Sequence, residues 1–309
     1  MHTDVPSLDS EQEFPAEFDH AIYVGHPDNP DLLGLDPTDA WHHYETYGRH
    51  EGRACSAIDS RPAFLALIAD HGSFLEIGPR WCSALDRSRR TVRTLDILST
   101  KELYSLSIEQ GAGPTDIPEI DFVWRGQPYH ELTTERFDAI LAVRSLERQT
   151  CLITHLTDAA SLLRPGGRLF LVLGDRRFSS YHYLPDTTLP DLLDAFATSR
   201  TGRSTRSVMA NRLWRTHDDA DAHWAGRHGA DPRHQAPDPR LVQEIAALLR
   251  AIRTAGHPPD VAAWHFTPDS FRYLIETLAA IGLSPFRVER LYPTRRPSSE
   301  FYAVLRIAA

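Results

Sequence analysis

The stretch Phe74-Leu75-Glu76-Ile77-Gly78-Pro79-Arg80 constrains this chain more than any other. An apolar run ends in an acid and passes at once into a Gly-Pro turn, the pattern of a buried strand that stops. Twenty residues beyond Glu76, Asp96 closes a second short apolar run, residues 91–98. A strand, a glycine turn, a helix and an acid at the tip of the next strand together make a nucleoside-binding half-site. The turn brings a ligand against the backbone, and the acid accepts hydrogen bonds from ribose hydroxyls. One turn glycine is present here, not three, so the rest of the chain has to decide between a half-site and a plain turn.

Downstream, strand and helix patterns alternate. Residues 60–70 and 81–85 read as helices around the first strand, and residues 100–110 as a largely polar helix. Residues 120–124 and 136–143 read as strands. Leu152, Ile153, Leu156, Ala159, Leu162 and Leu163 recur at helical spacing until Arg164-Pro165-Gly166-Gly167 stops the helix. A fifth strand follows at 168–173, and two more at 286–292 and 300–307. Ahead of these, Thr267-Pro268 reads as an N-cap and first helical residue. The pattern predicts an α/β fold: a doubly wound, mainly parallel seven-stranded sheet whose closing hairpin inserts the last strand antiparallel. A parallel sixth strand of the dinucleotide-dehydrogenase type does not suit that ending.

Residues 1–15 are rich in Asp, Glu, Ser and Pro and are expected to be disordered. A helical run over 37–47 carries Trp41, Tyr44 and Tyr47, with Gly48 as its C-cap. These aromatics read as the small core of a separate module, residues 1–58, ahead of a main domain, residues 59–309. His42 and His43 are adjacent, so a helix points them apart.

The composition narrows the function. The formal charge of −9 does not suit a general nucleic-acid grip. Cys55, Cys82 and Cys151 form no CxxC pair, which gives no zinc framework and fits a reducing cytoplasm. The first residues show no signal peptide, and no apolar run approaches the roughly 20 residues of a membrane span. A cytoplasmic protein with a small-molecule partner is expected, with neither nucleic acid nor membrane; the oligomeric state is not legible.

Taken together, Glu76-Ile77-Gly78-Pro79, Asp96, the Phe137-Asp138-Ala139-Ile140 strand and Leu162-Leu163-Arg164-Pro165-Gly166-Gly167-Arg168 resemble the class I S-adenosylmethionine-dependent methyltransferases. The resemblance spans about residues 60–175 and extends less specifically to the C-terminus. It implies S-adenosyl-L-methionine as cofactor. Glu76, Gly78 and Pro79 would line its methionine end, Asp96 would hold the ribose, and Ile97 would pack on the adenine. The segment 122–127, ending at Gln127, would lie at the adenine edge, with Val143 and Arg144 beside the sulfonium. Two positions leave the family pattern: Arg80 follows the turn where a small residue is usual, and Arg148 replaces a frequent histidine. Residues 47–53, Tyr-Gly-Arg-His-Glu-Gly-Arg, resemble the end of a helical module seen beside bacterial glycan-modifying domains.

The insertion after the fifth strand, residues 175–262, is where such enzymes build an acceptor lid. His182, His223 and His265 are the candidate bases, with Asp175 as orienter. The 175–178 loop and residues 217–229 resemble a subgroup found among bacterial glycan and secondary-metabolite genes. His217, His223 and His228 with nearby aspartates have the chemistry of metal ligands, of an acceptor-side polar cluster or of a hydrogen-bonded lid, and no metal site is assigned to them. The expected activity is methyl transfer to a small polar acceptor, a sugar or secondary-metabolite hydroxyl. The rival readings are the same fold turned to a non-methylating reaction such as a cyclisation, and a non-catalytic binding protein.

Overall fold

The computed structural model describes residues 14–15, 17–109, 111, 117–236, 238–255 and 261–308. The acidic start of the chain and most of the 111–118 link lie outside the described residues. Seven strands form one sheet: β1 (Ser73–Ile77), β2 (Thr91–Asp96), β3 (Phe122–Val123), β4 (Phe137–Val143), β5 (Leu163–Gly174), β6 (Phe286–Tyr292) and β7 (Glu300–Ile307). Their order is β3-β2-β1-β4-β5-β7-β6. The pairs β1–β2, β1–β4, β2–β3 and β4–β5 are parallel, while β7 runs antiparallel between β5 and β6. The mainly parallel sheet and its antiparallel closing strand are those the sequence predicts. Strand order reverses at β1 and β4, and the crevice of such sheets lies just outside the carboxyl ends of these strands.

Side-chain alternation assigns the two faces. Leu75, Ile77, Ile140, Ala142, Leu169 and Leu171 pack toward the helices Leu152–Ser161 and Pro268–Ala280. Phe74, Ala139, Leu141, Phe170, Val172 and Val304 face the opposite way, where Phe64 stacks on Tyr302 with ring centroids 4.9 Å apart. The Pro-Gly-Gly turn lies within β5 as an outward bulge: Leu163 pairs with Phe137, and the next pair is Arg168 with Ala139. Thr267 caps the helix Pro268–Ala280, accepting from Ser270 N while Ser270 Oγ accepts from Thr267 N.

Two local expectations need correction. Residues 78–90 contain no helix. The segment is held by side-chain hydrogen bonds instead: Arg80 N donates to Asp96 Oδ2 at 3.2 Å and Ala84 N to Glu76 Oε1 at 2.8 Å. Two buried carboxylates thus hold the segment as a fitted loop. On the same face of the sheet, a hollow of about 340 Å³ lies over Phe74, Ala139, Phe170 and Val304, bordered by residues 67–69. The second correction concerns Gly48. The helical path continues through Pro37–His43, Tyr44–Gly48 and Arg49–Glu51, and ends at Gly52, which has φ +70. Gly48 is small because a Cβ there would overlap the Tyr23 ring.

Around Gly48, Phe18, Tyr23, Leu32, Ala40 and Tyr44 form a core of their own, with Trp41 edge-on to Phe18 at 5.0 Å. Tyr47 is exposed. The module is tied to the main sheet by ion pairs from Arg295 to Asp28 and from Arg272 to Glu17. After β5 come the helices Leu189–Ala197, Thr205–Trp214, Ala220–Trp224 and Pro239–Ala255. Among the described residues, no helix is long and apolar enough to cross a membrane.

Candidate functional site

A cavity of about 480 Å³ opens at the carboxyl edge of β1, β2 and β4, within the roughly 300–1,000 Å³ typical of small-molecule sites. Its floor is the strand tips: Ile77, Gly78 and Pro79 after β1, Leu95, Asp96 and Ile97 after β2, and Val143, Arg144 and Ser145 after β4. Trp124 and Tyr129 form one wall, and residues 201–203 reach over from the lid.

Gly78 sits where the β1 and β4 tips touch. Its φ is +71, and a Cβ would lie 2.6 Å from Ser145 Cβ. Ser145 Oγ in turn donates to Ile77 O at 2.8 Å. The glycine is therefore needed for strand-tip contact as well as for the left-handed backbone. Gly78→Ala is expected to lower unfolding stability by about 2 kcal/mol, read as a drop in denaturant midpoint at unchanged slope. An unchanged midpoint would show that the tips do not meet in this way.

Asp96 is buried, and its two oxygens accept from Arg80 N and Leu98 N at 3.2 Å each. Burial raises its pKa, against those hydrogen bonds and the Arg80 charge. A carboxylate has about four lone-pair sites, so two remain for a ligand's hydroxyls. Trp124 N donates to Asp96 O at 2.8 Å, which fixes the wall to the same strand tip. The indole Nε1 donates to Gln127 O at 2.6 Å, and Gln127 Oε1 accepts from Arg125 N.

Of the cofactor residues expected from sequence, Gly78, Pro79, Asp96, Ile97, Val143 and Arg144 line the cavity, and Glu76 and Gln127 do not. The Glu76 carboxylate turns into the protein, accepting from Ser83 Oγ at 2.5 Å and from Ala84 N. Burial raises its pKa. Gln127 shapes the Trp124 wall from behind. Arg144, at φ +52, lies 3.4 Å from the buried Glu147, whose Oε1 also accepts from Gly174 N at 2.8 Å. A side chain at Gly174 would overlap the Arg144 guanidinium.

None of the four acceptor-side candidates, Asp175, His182, His223 and His265, lines this cavity. Asp175 is fully buried and holds Arg177 through both carboxylate oxygens, with Thr294 Oγ1 donating to it at 2.6 Å. It is a packing anchor for the loop. His265 faces Tyr181 edge-on at 4.9 Å, and burial pushes its pKa down to about 4. His182 and His223 belong to a separate stack with His217 and His228. Burial also lowers the pKa of both.

Sequence reasoning missed the cationic character of the cavity. Arg80, Arg144, Arg148 and Arg203 all line it, against Asp96 as the acid among its described lining residues. Arg80 and Arg148 stood out only as departures from a pattern. Arg203 lies with Arg200 and Arg206 in a run far from the strand tips in sequence, and only the fold brings it to the cavity.

No family model matches the chain, and no curated protein matches it in sequence. Solved structures match over most of its length. A S-adenosylmethionine-dependent methyltransferase from Clostridium acetobutylicum shares 8% identity over 88% of this chain and 99% of its own, with a TM-score of 0.39. A DhpI–SAH complex shares 12% over 93% of this chain and 94% of its own, at 0.38. The mitomycin 7-O-methyltransferase MmcR shares 12% over 93% of this chain at 0.35, and the chain spans 60% of its length. Likeness at this level assigns no role to any residue here.

Proposed function

We propose that the cavity binds S-adenosylmethionine and that the protein transfers its methyl group to a small polar acceptor. One observation carries the reading: Asp96, at the tip of β2, faces a cavity at the crevice where strand order reverses. The donor set suits the nucleoside end. Asp96 keeps lone pairs for two hydroxyls, and Ile97 and Trp124 offer apolar surface to a base. When bound, this cofactor supplies a methyl group on a sulfonium, transferred by in-line displacement.

The arginines shape the remainder. A sulfonium gains nothing from Arg80, Arg144, Arg148 and Arg203, whereas the cofactor's carboxylate and an anionic acceptor do. Histidine is absent from the described lining, so an acceptor that arrives already ionised, a carboxylate or an acidic hydroxyl, fits better than a neutral alcohol needing a base. The chain's part is then to hold two partners in line and exclude water, and positioning supplies the rate. His182, His223, His265 and Asp175 act on the lid in this reading, not on the acceptor. Three unpaired cysteines support a reducing, cytoplasmic setting.

The same arginines favour one second reading, a non-methylating reaction on an anionic nucleoside ligand. Mass analysis after incubating the full chain with S-adenosylmethionine and candidate acids separates the two. Demethylated cofactor with an acceptor heavier by one methylene supports transfer. Acceptor turnover with the cofactor intact would favour the rival.

A further inference from the structure

Away from the cavity, two lid segments meet face to face. Thr216 N donates to Ser180 O at 3.0 Å, Ser180 N to Asp218 Oδ1 at 2.8 Å, and Tyr183 Oη to Gly229 O at 2.6 Å. Phe178 stacks on Trp224 with ring centroids 3.6 Å apart. Between the segments lie His182, His223 and His228, each offering one ring nitrogen, all three within 4.8 Å of one another.

The hydrogen bonds of these rings fix which nitrogens are bare. His182 Nδ1 donates to Arg177 O at 2.7 Å, which leaves Nε2 without a proton. His223 Nε2 donates to His217 O at 3.1 Å, which leaves Nδ1 bare. That bare Nδ1 faces His228 Nδ1 at 3.0 Å. His217 is different: its Nε2 donates to Arg227 O at 2.9 Å and its Nδ1 accepts from Asp219 N at 3.3 Å, so both nitrogens are spent. An imidazole whose far N–H is anchored on a backbone carbonyl is the outer-shell arrangement that orients a metal-binding histidine.

We propose that His182 Nε2, His223 Nδ1 and His228 Nδ1 form a site for a divalent transition-metal ion of the zinc class, which fastens the segment after β5 to residues 216–229. Zinc–nitrogen bonds of about 2.0–2.1 Å set ligand nitrogens about 3.3 Å apart around a tetrahedral ion, so on binding the His223–His228 pair, at 3.0 Å, opens slightly and the wider spacings, all within 4.8 Å, close. The His182 and His228 rings, stacked with centroids 3.8 Å apart, tilt so that both in-plane lone pairs meet the ion. The ion takes the place of the proton in the His223–His228 contact, and His228 carries its proton on Nε2 instead. Three imidazoles leave a fourth position for water. The cavity residues are not among the ligands, so the site goes beyond the methyl-transfer reading and does not depend on it.

The test uses untagged full-length protein stripped of metal and titrated with Zn2+ alone, then with Co2+ as a spectroscopic probe. One equivalent is expected to bind, raising the melting temperature and giving visible Co2+ ligand-field bands. His228→Ala, at a half-buried ring, and His223→Ala are each expected to weaken binding by more than the ~10–100-fold cost of losing an outer-shell partner. His217→Ala keeps the stoichiometry, because its ring nitrogens take no part. Circular dichroism on each variant separates lost ligation from lost folding, and His228→Ala serves where His223→Ala does not fold. Binding no tighter in the wild type than in a folded His228→Ala variant would overturn the proposal. So would a loss of binding in His217→Ala equal to that in His228→Ala.

Discussion

Asp96→Ala is expected to weaken binding of S-adenosylhomocysteine, the demethylated cofactor, by about a hundredfold. Each hydrogen bond to a charged group is worth about 1.5–3 kcal/mol, and every 1.4 kcal/mol is about tenfold in affinity. Asp96 has capacity for two such bonds beyond those it accepts from Arg80 N and Leu98 N. Alanine also leaves those two amides without their acceptor, so Asp96→Asn is the companion variant. It keeps one acceptor oxygen and should lose about tenfold. Calorimetric titration reads both. Equal affinity in wild type and Asp96→Ala would remove the ribose role from this residue.

The other large effect is on stability against acid. His155 lies fully inside the protein, with Nδ1 2.8 Å from the Tyr129 hydroxyl, and burial pushes its pKa down to about 4. His265 is pushed down to about 4 as well, by burial first and the nearby Arg176 charge second. Both have a buried Nε2 without a hydrogen-bond partner. The folded pKa lies below the unfolded one, so between about pH 6.5 and 4 the unfolded chain binds protons that the folded chain refuses. Stability is therefore full above pH 6.5 and is lost as pH falls toward 4, by on the order of 3 kcal/mol for each histidine. Asp96 and Glu76 act in the opposite sense. Their raised pKa values contribute stability at low pH that fades as pH rises through the folded value, which opposes the acid loss. Urea unfolding at pH 7, 5.5 and 4.5 should show the decline, and His155→Gln should make it shallower by the share of that one histidine, on the order of 3 kcal/mol by pH 4. A flat profile, or the same decline in the variant, would contradict this account.

Much of the frame was legible because short continuous apolar runs, which mark strands buried on both faces, and Gly-Pro punctuation are local signals. The strands around Phe74, Ile140 and Leu171, the Thr267 cap and the antiparallel closing hairpin all follow from a few adjacent residues. The loop that replaces the expected helix at 81–85 was not legible, since it depends on Glu76 and Asp96 accepting hydrogen bonds from Ala84 N and Arg80 N across the fold. Gly48 misled for a related reason: its smallness answers the Tyr23 ring, distant in sequence, rather than a helix end. At the site, Asp96 and Gly78 were visible as strand-tip residues. The lid histidines were visible as a chemistry-rich run, but not that they stack on one another away from the cavity. The convergence of Arg80, Arg144, Arg148 and Arg203 on one cavity arises only when the lid folds over the β1 and β4 tips.

Whether this cavity holds S-adenosylmethionine is read most directly by calorimetric titration of the full chain with S-adenosylhomocysteine and then S-adenosylmethionine. One site is expected for each. Tighter binding is expected of the demethylated form, which places no sulfonium charge among the arginines. Absence of binding heat and of any thermal shift with both ligands would contradict the proposed site.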